Sequence, residues 1–148
     1  AALTGPNSPA LYGECPVTRA RIDGFLDKTL LFADIIQKYI LAGDRLDAAL
    51  HGAMAEAFRN YCAALEVALG QYAHISGDAL SLADVALVCE LALMSNEGRM
   101  AEQLAAAKLP AILPELKNYP ALYAHITDLL GRAEFSEDLS GYVGFILV

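Results

Sequence analysis

Residues 77–94 read GDALSLADVALVCELALM, so the polar residues Ser81 and Asp84 stand directly before an apolar run. A helix that crosses a bilayer needs about 20 apolar residues. The run after Asp84 is shorter than that, and Glu90 interrupts it. The stretch therefore predicts a helix that begins at Leu82 and is surrounded by protein on all sides.

The spacing of Ser81 and Asp84 predicts a capping box at the start of this helix. In a capping box the serine side chain accepts from the N–H three residues on, and the acidic side chain accepts from the serine N–H. A buried helix start has no water for its first N–H groups, so the chain must supply the acceptors. We expect a structural role for both residues, because Ser81 as a nucleophile would need an adjacent general base and Asp84 is badly placed for that.

The fold class predicted for the chain is all-α. Its 148 residues suit one domain, and the abundance of alanine and leucine favours helix. Apolar residues recur every three or four residues, which predicts helices over residues 16–41, 45–72, 82–94, 97–108 and 120–131. In the first of these helices, Leu30 is one of the apolar residues predicted to face the core. Residues 141–148, GYVGFILV, are apolar but lack this spacing. We expect a bundle of about five helices with a buried central helix and an apolar tail at 141–148.

The charge of the chain limits its partners. Its formal net charge is −8, from 18 acidic and 10 basic residues. Such a chain repels phosphate backbones and anionic lipid headgroups, so we expect neither direct nucleic-acid binding nor membrane binding.

The three cysteines, Cys15, Cys62 and Cys89, form no CxxC pair, which indicates free thiols and a cytoplasmic protein. Cys62 and Cys89 lie in apolar helical patterns and are predicted to be buried. Cys15 precedes Pro16 at a helix start, where the helix dipole would lower the pKa of the thiol.

The sequence offers no catalytic group and no metal site by spacing. His51, His74 and His125 are far apart, and no pair has the i, i+4 spacing of a helical metal site. His125 borders an apolar helix face and is predicted to be partly buried and hydrogen-bonded. We therefore expect neither catalytic residues nor metal ligands in this segment.

Three segments of the chain read PVTRARIDGFLD (16–27), AALEVALGQYAHISGDALSLADVAL (63–87) and NYPALYAHITDLLGRAEF (118–135). In this order and at these distances, they resemble the C-terminal domain of the glutathione transferase superfamily. The S-x-A-D step resembles that family's N-capping box, and the likeness covers roughly residues 11–139. It implies that residues 1–14 are a linker from a thioredoxin-like domain outside this sequence and that 15–140 form the helical domain.

The resemblance leaves three possibilities open for the function. LSLADVALVCEL (80–91) is similar to the gamma subunit of the eukaryotic translation elongation factor 1 complex, which implies a non-catalytic protein-interaction domain. Its partners would be proteins of a translation complex or a second copy. The alternative is the substrate-binding half of a glutathione transferase, whose full-length form would bind glutathione and conjugate it to electrophiles. A third alternative is a redox-related relative. No cofactor is expected in the segment itself.

The resemblance also assigns surface roles near the start of the first helix. It implies that Arg19 and Asp23 lie at a dimer interface, and that Tyr12 joins them at the edge of the cleft if the chain is a transferase half. Arg21 is expected to be a solvated side chain of the same helix.

Overall fold

A computed structural model of the chain describes residues 11–147, apart from the side chains of Val143 and Phe145. Within this range the helices are α1 (Pro16–Ile40), α2 (Ala48–Leu69), α3 (Leu82–Met94), α4 (Ala101–Ala107), α5 (Pro120–Gly131) and α6 (Ala133–Ile146). Short 3-10 turns cover Gly43–Arg45, Ser95–Met100 and Leu113–Asn118. No β-strand occurs in the described residues. The all-α prediction is confirmed, with one α-helix more than expected.

Helices α1 and α2 pack side by side and form one wall of the bundle. Pro16 starts α1, where its missing N–H costs nothing, and the Asp47 side chain caps α2 by accepting from the Leu50 N–H at 2.8 Å. The ring of Phe32 stacks on Tyr61 with centroids 4.3 Å apart. The buried face of α1 excludes Leu30, which is 69% exposed. The prediction that Leu30 lies in the core stripe is therefore wrong.

Helix α3 lies at the centre, where it contacts α1, α5 and α6. Leu87 and Leu91 are fully buried, as the apolar run predicts. Two of its residues, Leu82 and Cys89, are exposed. The expectations that α3 is covered on all sides and that Cys89 is buried are therefore wrong, because the three neighbouring helices leave one flank open.

A buried carboxylate organises the segment after α3. Glu97 accepts from the Tyr39 hydroxyl at 2.7 Å, from the Ile112 N–H at 2.9 Å and from the Leu113 N–H at 2.9 Å. The single helix predicted over residues 97–108 is instead a 3-10 turn followed by α4. The inward-turned Glu97 and the neighbouring Gly98, which favours helix poorly, account for the difference.

The end of the chain is helical where a tail was expected. Helix α6 runs through Ile146, whose side chain is buried, and the Tyr123 hydroxyl donates to the Leu147 carbonyl at 3.3 Å. The prediction that residues 141–148 lack helical structure is wrong for 141–146, and residue 148 lies outside the described residues. Packing against α3 and α5 stabilises a segment whose own pattern is weak.

None of the described helices combines the length and apolar character that a membrane span requires.

We expect Glu97→Ala to destabilise the fold by about 3 kcal/mol or more, because it leaves three buried donors without an acceptor. Tyr39→Phe removes one of those donors and should cost about 1.5 kcal/mol. Urea unfolding measures both values. Glu102→Ala, at an exposed site on α4, should stay within about 0.5 kcal/mol of the parent. Equal losses in Glu97→Ala and Glu102→Ala would contradict the assignment.

Candidate functional site

The Asp84 carboxylate is the best-connected polar group in the described part of the chain. Its Oδ2 accepts from the backbone N–H and the hydroxyl of Ser81, both at 2.8 Å. Its Oδ1 accepts from the Ile75 N–H at 3.1 Å and contacts His125 Nε2 at 2.8 Å. The side chain is fully buried. Ser81 and Asp84 thus form a capping box at the start of α3, and the same carboxylate also holds the preceding turn and α5.

The hydrogen bonds decide the charge of this group. Burial by itself raises the pKa of Asp84, but the hydrogen bonds from His125, Ile75 and Ser81 outweigh it and hold the pKa below its ordinary value. Asp84 is therefore ionised at neutral pH and can only accept hydrogen bonds. His125 must then carry its proton on Nε2 and donate it to Asp84.

Asp84 also brings together two histidines that are far apart in sequence. His74 lies on the turn after α2 and His125 lies on α5, and their rings meet edge to face with centroids 5.3 Å apart. His74 Nδ1 is 3.5 Å from Asp84 Oδ1. The spacing of the histidines in the sequence does not predict this cluster, because no two of them lie one helical turn apart. The S-x-A-D capping box located Asp84 from the sequence, but no local pattern marks the two histidines.

Tyr12 and Asp23 lie together at the start of α1. The Tyr12 hydroxyl donates to Asp23 Oδ1 at 2.7 Å and Oδ2 at 2.9 Å. The pKa of Tyr12 is raised above its ordinary value, mainly by the hydrogen bond to Asp23 and to a smaller extent by burial. The phenol is therefore neutral. Arg19 Nε donates to the Gly13 carbonyl at 3.2 Å. These contacts hold the segment before α1 against that helix, and the interface and cleft roles of Tyr12, Arg19 and Asp23 remain predictions.

Arg21 is exposed, as expected for a solvated side chain of α1. Its guanidinium lies 4.7 Å from the ring centroid of Tyr72, a cation–π contact that joins α1 to the segment after α2.

The segment before α1 also reaches the start of α3. The Leu82 N–H donates to the Leu11 carbonyl at 2.8 Å, which satisfies one first-turn donor of α3. A cavity of about 490 Å³ lies between the two helix starts and is bordered by Cys15, Thr18, Ile22 and Ser81. Of the predicted linker, residues 1–10 lie outside the described residues.

Cys15 presents an exposed thiol to this cavity. Its Sγ lies 3.3 Å from the Thr18 hydroxyl. The hydrogen bond with the Thr18 side chain, followed by the backbone N–H of Thr18, lowers the pKa of the Cys15 thiol. A lowered pKa of the Cys15 thiol agrees with the expectation for a cysteine at a helix start. Its largest cause is the Thr18 side chain. Burial raises the pKa of Cys62 and of Cys89.

One comparison with known proteins identifies a family. The family model described as "Glutathione S-transferase, C-terminal domain" matches residues 28–133. No curated protein and no solved structure matches the chain.

We expect the stability gap between the parent and Asp84→Asn to depend on pH. A carboxylate whose pKa is lowered by folding contributes stability above its ordinary value near 3.8, and that stability is lost as the pH falls through the folded pKa. At neutral pH the free energy of unfolding of Asp84→Asn should be about 2–3 kcal/mol lower than that of the parent. This difference should become smaller below pH 4. Urea midpoints from pH 7 to pH 3 measure it. Asp128→Asn, at an exposed site on α5, serves as the control; a constant gap for Asp84→Asn would contradict the assignment.

We expect iodoacetamide to alkylate Cys15 first, Cys89 more slowly and Cys62 only on unfolding. Thiolate is the reactive form, and Cys15 combines exposure with a lowered pKa. Thr18→Val should slow labelling at Cys15 and leave Cys89 unchanged, as followed by mass spectrometry of peptides. Equal Cys15 rates in the parent and Thr18→Val would rule out the hydrogen bond as the cause.

Proposed function

The chain belongs to the family of glutathione S-transferase C-terminal domains, and we propose that it acts as a non-catalytic protein-interaction domain. The proposal rests on one observation, the exposed apolar flank of α1. Leu30, Leu31 and Leu41 are 69%, 76% and 72% exposed. Leu30 and Leu41 are about three helical turns apart and so lie on the same face. Several exposed leucines on one side of a helix favour a surface that binds another protein, and this is the support for the proposal.

The surroundings of these leucines suit a protein partner. Leu31 and Phe32 border a cavity of about 280 Å³ against α2, and Leu41 borders another of about 410 Å³ near Leu50. Such grooves between two helices accept the side chains of a partner helix.

Charges of both signs flank the leucines, since Asp34 pairs with Lys38 on this face. A surface with both signs can pair its charges with those of a second copy in the antiparallel orientation. We therefore propose a second copy of this chain as the first partner to test.

We further propose that the domain belongs to a subunit of a translation elongation factor complex. The support is the likeness of residues 80–91 to the gamma subunit noted above. The proteins of that complex would then be the remaining partners.

A second candidate function is the substrate-binding half of a glutathione transferase. The cavity of about 490 Å³ beside Cys15 and Ser81 favours it, because a cleft at a domain edge could hold an electrophile. In that case Tyr12, Arg19 and Asp23, which are not among the residues that border this cavity, would lie at the edge of the cleft, and a thioredoxin-like domain would bind glutathione. Two assays on the full-length protein, binding to glutathione resin and turnover of a model electrophile, distinguish the two functions. Retention on glutathione resin together with turnover of a model electrophile would overturn the non-catalytic proposal.

We expect the double variant Leu30→Asp/Leu31→Asp to abolish self-association while the chain stays folded, because both side chains are already exposed and two aspartates near Asp27 and Asp34 in α1 lower the stability only modestly. Sedimentation velocity over a concentration series measures the association, and thermal melts measure the fold. Val67→Asp replaces an apolar residue on α2 that is also largely exposed, at 64%, and serves as the control. A parent that stays monomeric at all concentrations would exclude the second copy as partner.

A further inference from the structure

We propose that His74, Asp84 and His125 form a binding site for Zn²⁺ or a chemically similar first-row divalent cation. The ion would join the turn after α2, the start of α3 and the middle of α5. The site is separate from the α1 flank, so the proposal does not depend on the proposed function.

The ligand atoms converge closely enough for one ion. One potential ligand atom from each residue lies within 4.8 Å of the other two. Two ligands of a tetrahedral zinc ion, each about 2.0–2.1 Å from the metal, stand about 3.3 Å apart. His74 Nδ1 and Asp84 Oδ1 are 3.5 Å apart, close to that spacing. His125 Nε2 and Asp84 Oδ1 are 2.8 Å apart and would have to separate by about half an ångström.

His74 supplies the observation that points to a ligand. Its Nδ1 is buried and has no hydrogen-bond partner. A buried polar atom without a partner is costly, and a metal bond would remove that cost. The His74 backbone is held by a reciprocal pair of hydrogen bonds with Gly77, at 2.8 and 3.3 Å. The imidazole is therefore attached to a fixed backbone even without the ion.

The capping box would orient the carboxylate ligand. Both hydrogen bonds from Ser81 go to Oδ2, and the Ile75 N–H donates to Oδ1. Outer partners of this kind fix the direction of a ligand in metal sites. His125 would give up its Nε2 hydrogen bond to Asp84 and carry its proton on Nδ1. Two imidazoles and one carboxylate form a donor set that suits Zn²⁺.

Burial indicates that the ion would be structural. The side chains of His74, Asp84 and His125 are 12%, 0% and 7% exposed, which leaves little room for a substrate. We expect bound Zn²⁺ to raise the melting temperature of the metal-free protein, because only the folded chain brings the three residues together.

The first test uses ZnCl₂ with metal-stripped protein in calorimetry and thermal melts. We expect one ion per chain and a raised melting temperature for the parent. His74→Gln removes one ligand and leaves the capping box and the bond from His125 to Asp84 in place. It should bind at least about tenfold more weakly. His51→Gln is the control, since His51 is also buried but hydrogen-bonds to the Pro110 carbonyl. Equal affinities in the parent and His74→Gln, or no binding by a folded parent, would overturn the proposal.

The second test uses CoCl₂ and absorption spectroscopy to distinguish this site from the exposed thiols Cys15 and Cys89. We expect visible bands of nitrogen and oxygen ligation without the near-ultraviolet band of a cobalt–thiolate bond. The opposite outcome is a thiolate band in the parent, with both this band and all metal binding lost in the double variant Cys15→Ser/Cys89→Ser. That result would assign the metal to the cysteines and overturn the proposal.

Discussion

The fold depends on one buried negative charge, the carboxylate of Asp84. A charge removed from water is tolerated only when hydrogen bonds replace its hydration. Donors from Ile75, Ser81 and His125 meet that requirement, and they come from three separate parts of the chain. These hydrogen bonds therefore fix the position of the first turn of α3. The apolar contacts further along the helix add to this constraint. The rest of the bundle packs around a helix whose start cannot shift without breaking these bonds.

Two other acidic side chains cap backbone segments in the same way. Glu97 accepts from the backbone N–H groups of Ile112 and Leu113. Glu66 on α2 accepts from Ala121 at 3.0 Å and Leu122 at 2.8 Å, at the start of α5, where Tyr119 provides no side-chain cap. Part of the acidic excess of this chain thus satisfies the first N–H groups of elements that begin inside the bundle. The net charge of −8 is in this respect a feature of the fold as well as of the surface.

The buried residues that build the core and the exposed leucines that suggest a function lie on different faces of the matched segment. The family match covers residues 28–133, which include all of α2, α3 and α5 together with Asp84. These helices contribute many of the buried apolar residues of the core. The exposed leucines of α1 contribute nothing to that core, because they face solvent. A core of this kind can therefore support either an interaction domain or half of an enzyme, and the difference lies in surface residues.

Local signals in the sequence determined much of the fold. Pro16 and Pro120 start α1 and α5, and Ser81 with Asp84 starts α3, because a proline or a capping pair acts within one turn of its own position. Which helix faces are covered by neighbouring helices was decided only by the tertiary structure, in which Leu30 and Cys89 are exposed. The helical conformation of residues 141–146 was likewise decided by tertiary packing. The tertiary structure also decided that His74 meets His125, and that Glu66 and Glu97 cap segments far along the chain. Contacts between distant residues follow from how the helices pack, and helical periodicity within a single segment carries no information about them.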